Sequence, residues 1–279
     1  MNTADRARGF LELTRPANAV AAGVLTFIGA FVAGIFTAHA ALLTGAAVLA
    51  TVLAVGAGNA INDYFDRDID RINAPERAIP RGAVSPRGAL WFSVVLFAVA
   101  VVLVLALPVV GIAIAVVNLV ALVTYTKLFK GLPGLGNALV AYLGGSTFLF
   151  GGAAVGNAGA SSVLFLLAAL STFTREVVKD VEDVAGDREE GLNTLPIAVG
   201  ERTALLVGAA VLVVAVLASP IPFLQGTFGV AYLVMVLPAD AAMLYAAYLS
   251  FRDPSGSQRL LKYGMFLAAA AFVVGRLAL

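Results

Sequence analysis

The chain has 279 residues, of which 61% are hydrophobic and only 13% charged, about half the charge of a soluble domain. This excludes a water-soluble protein and predicts a polytopic membrane protein. The net charge of +1 is neutral on nucleic acid; no basic cluster with interleaved aromatics is present, and without cysteine there is neither a disulfide nor a thiolate metal site.

Apolar runs of about 20 residues read as spanning helices. Nine are predicted, roughly at 16–37, 41–62, 87–107, 109–127, 135–155, 160–180, 202–219, 228–250 and 258–278. The first exceeds the ~7–15 residues of a signal h-region and follows acidic residues. It reads as a retained helix, although Ala38-His39-Ala40 resembles a cleavage site. Pro108 separates two runs tightly, Pro220 and Pro222 break another pair, and Pro238 predicts a kink in the eighth.

Charged residues fall on alternate connections. Asp5 to Arg15 precede the first run. Asp63 to Arg87 fill the second connection, Lys127 and Lys130 the fourth, Arg175 to Arg202 the sixth, and Arg252 to Lys262 the eighth. One membrane face therefore holds nearly all the polar chemistry, and the Lys/Arg bias predicts that it is cytoplasmic. Nine spans then place the N-terminus inside and the C-terminus outside. Asp240 and Arg276 fall outside this scheme. Asp240 reads equally as an intramembrane functional group and as a kink-stabilising one beside Pro238. Arg276 reads as a snorkelling terminal residue.

Asn59 to Gly82 is the densest polar stretch. On a helix turning about 100° per residue, with Asn62 as origin, Asp66 lies at about 40°, Asn59 at about 60°, Asp70 at about 80° and Asp63 at about 100°. Asp68 points away. Carboxylates this close repel one another unless solvent or a cation holds them, so the stretch is either a charged surface loop or a cation site. The sixth connection repeats the pattern: Lys179-xxx-Asp183-xxx-Asp187 matches Asn62-xxx-Asp66-xxx-Asp70, and a polar loop with Pro and Gly follows each. Four helices separate the two motifs. This predicts a parallel four-helix repeat with two acidic faces turned toward each other. The expected fold is all-α, a single transmembrane domain over 1–279. Its repeat-like halves lie at about 16–130 and 135–250, with a last helix at about 258–278, around a central cavity.

Two such faces make a hard-oxygen site. His39 is the single histidine, so oxygen must hold any metal, which favours Mg2+ or Ca2+. Mg2+ prefers one or two carboxylates plus phosphate oxygens, which suits a diphosphate leaving group. Arg67, Arg71, Arg77, Arg81, Lys130 and Lys179 are near enough in sequence to assist. An apolar tail would lie among the Gly/Ala-rich helices, which pack closely and supply the dry wall an allylic cation requires. A lipid diphosphate ester fits. The non-enzyme alternative is an ion-coupled transporter, where intramembrane repeats with acidic residues also occur; here, however, the acids cluster at one surface.

At these residues the chain resembles the UbiA-type intramembrane prenyltransferases over essentially its whole length. The carriers are Asn62-Asp63-Tyr64-Phe65-Asp66-Arg67-Asp68-Ile69-Asp70, Asn73-Ala74-Pro75-Glu76-Arg77-Ala78-Ile79-Pro80 and Asp183-Val184-Ala185-Gly186-Asp187. The resemblance implies that Asn62, Asp66, Asp70, Asp183 and Asp187 hold Mg2+ on a prenyl diphosphate, which makes the four aspartates catalytic. It implies diphosphate contacts from Arg77 and Lys130, and it matches Arg15 to an Arg-Pro pair at the first helix. Lys179 and Arg67 complete the candidate diphosphate-binding set. A narrower resemblance, to the archaeal ether-lipid branch, is carried by residues 136–142, 150–157 and 175–183. It implies transfer of a geranylgeranyl group from geranylgeranyl diphosphate to the sn-2 hydroxyl of geranylgeranylglyceryl phosphate, a lipid-phosphate acceptor. Transfer to an aromatic ring, as in quinone biosynthesis, is the alternative within the class. The chain departs from the family at Ala78, where proline is common, and at Arg81, where a small residue is common. Arg81 either shapes an acceptor phosphate site or is a solvated loop charge. No residue stands out as a general base. Oligomeric state, prenyl chain length and the number of metal ions stay open.

Overall fold

The computed structural model describes residues 3–125, 129 and 131–279; Lys127 and Lys130 lie outside the described residues. All elements among the described residues are helices. A short helix α1 (Thr3–Leu13), of which the apolar runs carry no sign, precedes α2 (Pro16–Ala33). Pro16 starts α2 at a position where its missing N–H is not needed. The hydroxyl of Thr37 accepts from the Ala40 N–H at 3.1 Å and caps α3 (Ala38–Phe65). Next come α4 (Arg67–Asn73), α5 (Pro86–Val104), capped by Ser85, and α6 (Val109–Thr124). The second half holds α7 (Leu135–Ala154), α8 (Ala158–Glu182), α9 (Val184–Glu189), α10 (Leu195–Val199) and α11 (Glu201–Ala218). Pro220 and Pro222 confine α12 to one turn (Ile221–Leu224), before α13 (Val230–Leu249) and α14 (Pro254–Leu277). α13 continues through Pro238 as one helix.

The long helices lie where the apolar runs do. Among the described residues, seven helical stretches are long and apolar enough to cross a membrane by length and composition, fewer than the nine spans expected. The two that fall short are α6 and α7. The apolar part of α6 ends at Leu122, and α7 is diluted by Gly, Ser, Thr and Asn along a face buried against α2 and α8.

Hydrogen bonds show which helix ends lie together. Arg15 at the start of α2 reaches Asp63 at the end of α3, and Asn137 at the start of α7 reaches Asp180 near the end of α8. Glu182 accepts from Ser255 and from Gln258 (2.6 Å) at the start of α14. At the opposite end Asn157 donates to the Ala33 carbonyl at 3.2 Å, and the Arg276 guanidinium stacks over Phe36 at 5.0 Å. The charged segments therefore share one end of the bundle. Helices α2, α7, α8, α13 and α14 close around an interior space, with α14 packed on both α2 and α8. The α2–α7 contact is backbone against backbone: Gly29 lies on the Phe148 carbonyl and Gly151 on the Thr26 carbonyl. Outward, Val102, Val109, Leu217, Leu224 and Val234 are exposed, as on a lipid-facing surface.

Candidate active site

Both acidic motifs sit on broken helices, where an unbroken helix was expected. Asp66 separates α3 from α4 with φ −84°, ψ 0°, and Asp183 separates α8 from α9 with φ −93°, ψ 2°. Helical hydrogen bonds still cross each break. The Asp66 N–H donates to the Asn62 carbonyl (2.9 Å) and the Asp70 N–H to the Asp66 carbonyl (2.8 Å). In the second motif the Asp183 N–H donates to Lys179 and the Asp187 N–H to Asp183, both at 3.0 Å. This backbone region is sparsely allowed and recurs at active sites. Aspartate suits it, because its short side chain competes with the helix for backbone partners.

The structure gathers part of the candidate set around the first motif. Arg77 donates to both oxygens of Asp70 (2.8 and 2.7 Å), and Asp70 is buried. That hydrogen bond pushes the Arg77 guanidinium above its ordinary pKa. Arg15 donates to Asp63 at 2.7 Å, and Arg77 stands 3.8 Å from the same carboxylate. Asp63 is thus a buried bridge between two predicted phosphate ligands, a role that its place on the acidic face did not reveal. Asn62 and Asp66 are exposed beside this cluster. Arg67 is held locally: it donates to the Tyr64 carbonyl at 2.8 Å, stacks on the Tyr64 ring and lies 3.7 Å from Asp68. Asn59 ties α3 to the Thr14 carbonyl at 3.0 Å.

In the second motif Lys179 pairs with Asp183 at 2.9 Å, and Asp187 accepts from Thr194 at 3.2 Å. Asp180 accepts from buried Asn137 at 2.7 Å, which fixes the α8 end against α7. Tyr125 lies within electrostatic range of Glu176, Lys179, Asp180 and Asp187. Tyr142 packs edge-on against Phe165.

A mostly apolar cavity of about 630 Å³ runs down the bundle between α2, α7, α8, α13 and α14. Arg175, Lys262 and Asn18 line its charged end, and Phe148, Leu164 and Phe272 its far end. Leu164 to Arg175 spans about 16 Å along α8 at 1.5 Å per residue. Its charged end lies toward the same end of the bundle as both motifs: Val55 stands about two turns before Asn62 on α3, and Arg175 about one turn before Lys179 on α8. Arg175, absent from the candidate set, donates to Glu176 (2.9 Å) and Gln258 (3.3 Å), while its Nε is buried with no protein partner. Asp240 also lines the cavity, and the Ser219 hydroxyl donates to it. Its partner is thus at the end of α11, not at the backbone beside Pro238.

Among the described residues no three His, Asp or Glu side chains stand close enough together to hold a metal ion by themselves. Three of the carboxylates are paired with cations: Arg77 holds Asp70, Arg15 holds Asp63 and Lys179 holds Asp183. The donor set is nevertheless all oxygen. It fits Mg2+, which needs only one or two carboxylates when phosphate oxygens complete its shell.

The UbiA prenyltransferase family model matches residues 15–270; the chain belongs to this family. A digeranylgeranylglyceryl phosphate synthase from Natronomonas pharaonis is 65% identical over 98% of this chain and 99% of its own length. A solved structure of digeranylgeranylglyceryl phosphate synthase superposes with a TM-score of 0.87 at 35% identity, covering 98% of this chain and 99% of that one. The fold is also shared with a UbiA homologue from Archaeoglobus fulgidus solved with GPP and Mg2+, at TM-score 0.64 and 16% identity, covering 95% of this chain and all of that one.

Proposed function

We propose that this chain is a Mg2+-dependent prenyltransferase of archaeal ether-lipid synthesis. It moves the geranylgeranyl group of geranylgeranyl diphosphate to the sn-2 hydroxyl of geranylgeranylglyceryl phosphate. The observation that carries this reading is the placing of two matching broken acidic helices at the same end of the bundle as the charged end of one long, mostly apolar cavity. The 65% likeness to a named synthase over its whole length supports the choice of acceptor. The prenyl tail lies in the cavity, and its diphosphate sits among Asn62, Asp66 and Asp70 on one side and Asp183 and Asp187 on the other. Arg15, Arg77, Lys179 and Lys130 surround it, and Arg175 lines the charged end of the cavity. Bound Mg2+ neutralises charge as the diphosphate departs. The carbon–oxygen bond to the diphosphate breaks and the ether bond forms to the acceptor hydroxyl. The proton of that hydroxyl passes to a carboxylate or to the departing diphosphate. The apolar wall keeps water from the allylic carbon.

On the same reading all nine long helices cross the membrane, the charged end faces the cytoplasm, and residues 16–130 and 135–250 form repeat-like halves. The near-equal backbone at Asp66 and Asp183 supports the repeat, and the Lys/Arg content of the connections supports the orientation.

Incubating the purified chain with geranylgeranyl diphosphate and either the glyceryl phosphate acceptor or an aromatic acceptor tests the assignment. Ether product from the first alone is expected; product from the aromatic acceptor alone would overturn it. A chelator is expected to stop the reaction and Mg2+ to restore it. Ala168 lies on the cavity wall about 10 Å below Arg175 along α8. Ala168→Phe should therefore lower kcat/KM about tenfold for the geranylgeranyl donor relative to the shorter geranyl donor, because a ring there obstructs only the longer tail. Comparing the two donors with one acceptor checks this.

A further inference from the structure

A second cavity, of about 410 Å³, opens between α1, the start of α2 and the loop 74–85. Four arginines line it: Arg8, Arg15, Arg77 and Arg81. Ala78 supplies its one apolar lining side chain, so it suits a charged headgroup and not a prenyl chain. Glu12 sits among the guanidiniums, accepting from Arg8 at 2.9 Å and pairing with Arg81 at 2.7 Å. Chiefly the hydrogen bond from Arg81 holds its carboxyl below the ordinary glutamate value. Arg81 also donates to the Glu76 carbonyl at 2.8 Å, which fixes its direction. Arg15 is the one non-glycine residue with positive φ among the described residues (φ 46°). Such backbone persists where the surroundings enforce it, commonly at ligand sites. Here it aims the Arg15 guanidinium at Asp63, on the cavity wall.

We propose that this cavity binds the phosphate monoester of the acceptor, with Arg8 and Arg81 as the residues that select a phosphorylated lipid. The inference rests on the acceptor class proposed above. Guanidinium forks match phosphate oxygens two at a time, and the Glu12 carboxylate engages both Arg8 and Arg81 in the same way. Arg77 lines this cavity and also holds Asp70, so the phosphate lies one side chain from the first acidic motif. The hydroxyl to be alkylated is only a few bonds from the phosphorus. Gripping the phosphate here holds that hydroxyl beside the departing diphosphate. The departure from the family at Arg81 thereby acquires a chemical role.

Calorimetric titration of the full chain in detergent, with geranylgeranylglyceryl phosphate and with phosphate-free geranylgeranylglycerol, tests this. Arg8→Ala and Arg81→Ala should each weaken binding of the phosphorylated lipid about tenfold. Binding of geranylgeranylglycerol and of geranylgeranyl diphosphate should stay unchanged. Arg81→Lys should recover part of the loss. Glu12→Gln should tighten binding of the phosphorylated lipid, because it removes the competing carboxylate; a purely structural ion pair would make it behave like Arg81→Ala. In steady state, KM for the acceptor should rise while KM for the donor holds. Equal losses for all three ligands, no change in any, or weaker binding in Glu12→Gln would overturn the proposal. Arginine-dependent binding without prenyl transfer would overturn the proposed reaction and leave this site standing.

Discussion

Alanine in place of Asp66 or Asp183 is expected to lower turnover about 10³-fold or more while the protein stays folded. Each aspartate sits at a helix break, exposed, at the same end of the bundle. Asp183 has Lys179 as its ion-pair partner, and both side chains are about half exposed, so the pair contributes well under about 1 kcal/mol. Loss of either carboxylate should therefore move stability by no more than about 0.5 kcal/mol. It removes charge that must be present when the diphosphate leaves, and such deletions lower rates by orders of magnitude. Product formation measured beside a thermal melt in detergent separates the two effects. Full activity in either variant would refute the assignment of the two motifs. Failure to fold would show that the carboxylates support the breaks instead.

The largest expected effect on folding lies at Gly151. A methyl group there would overlap the Thr26 carbonyl oxygen and approach the Ala30 nitrogen to 2.8 Å. Both obstacles are backbone, so no side-chain rotation relieves them, and α2 and α7 must move apart. Gly151→Ala should destabilise by about 3 kcal/mol or more, and Gly29→Ala, which meets the Phe148 carbonyl, by a similar amount. In lipid, close approach of small residues is a main source of helix affinity, so this contact has no substitute. Gly45, on α3, is the control: nothing lies within 4 Å of its added methyl, and Gly45→Ala should be neutral or stabilising by up to about 1 kcal/mol. Melting temperature and yield of folded protein distinguish the three. Because α2 and α7 both wall the large cavity, a Gly151→Ala protein that does fold should also lose activity.

Much of this protein was legible in its sequence, for physical reasons particular to a membrane chain. A bilayer demands long apolar helices, so the helix positions could be read from composition, and the sorting of charges to alternate connections placed both acidic motifs at one end. Repetition of the Asp-xxx-Asp spacing marked the family, because two such motifs rarely coincide by accident. Helical periodicity also put Asp63 on the acidic face but had no means of telling a bridge from a ligand. That distinction depends on Arg15, which is distant in sequence and reaches Asp63 through a left-handed backbone.

The tertiary structure decided the rest. Periodicity assumes an unbroken helix, so the stops at Asp66 and Asp183 were invisible to it. It placed Arg67 among the cations of the site but gave no sign that this side chain bonds its own helix at the Tyr64 carbonyl. The apolar runs held no trace of α1, whose Arg8 and Glu12 complete the arginine cavity. Arg175 and Asp240 could be seen as charges in or near the membrane, but only packing shows that both line the same space. Sequence determines where apolar surface and charge must go along each helix. Which charges meet depends on contacts between residues far apart in the chain, and those exist only once the helices have packed.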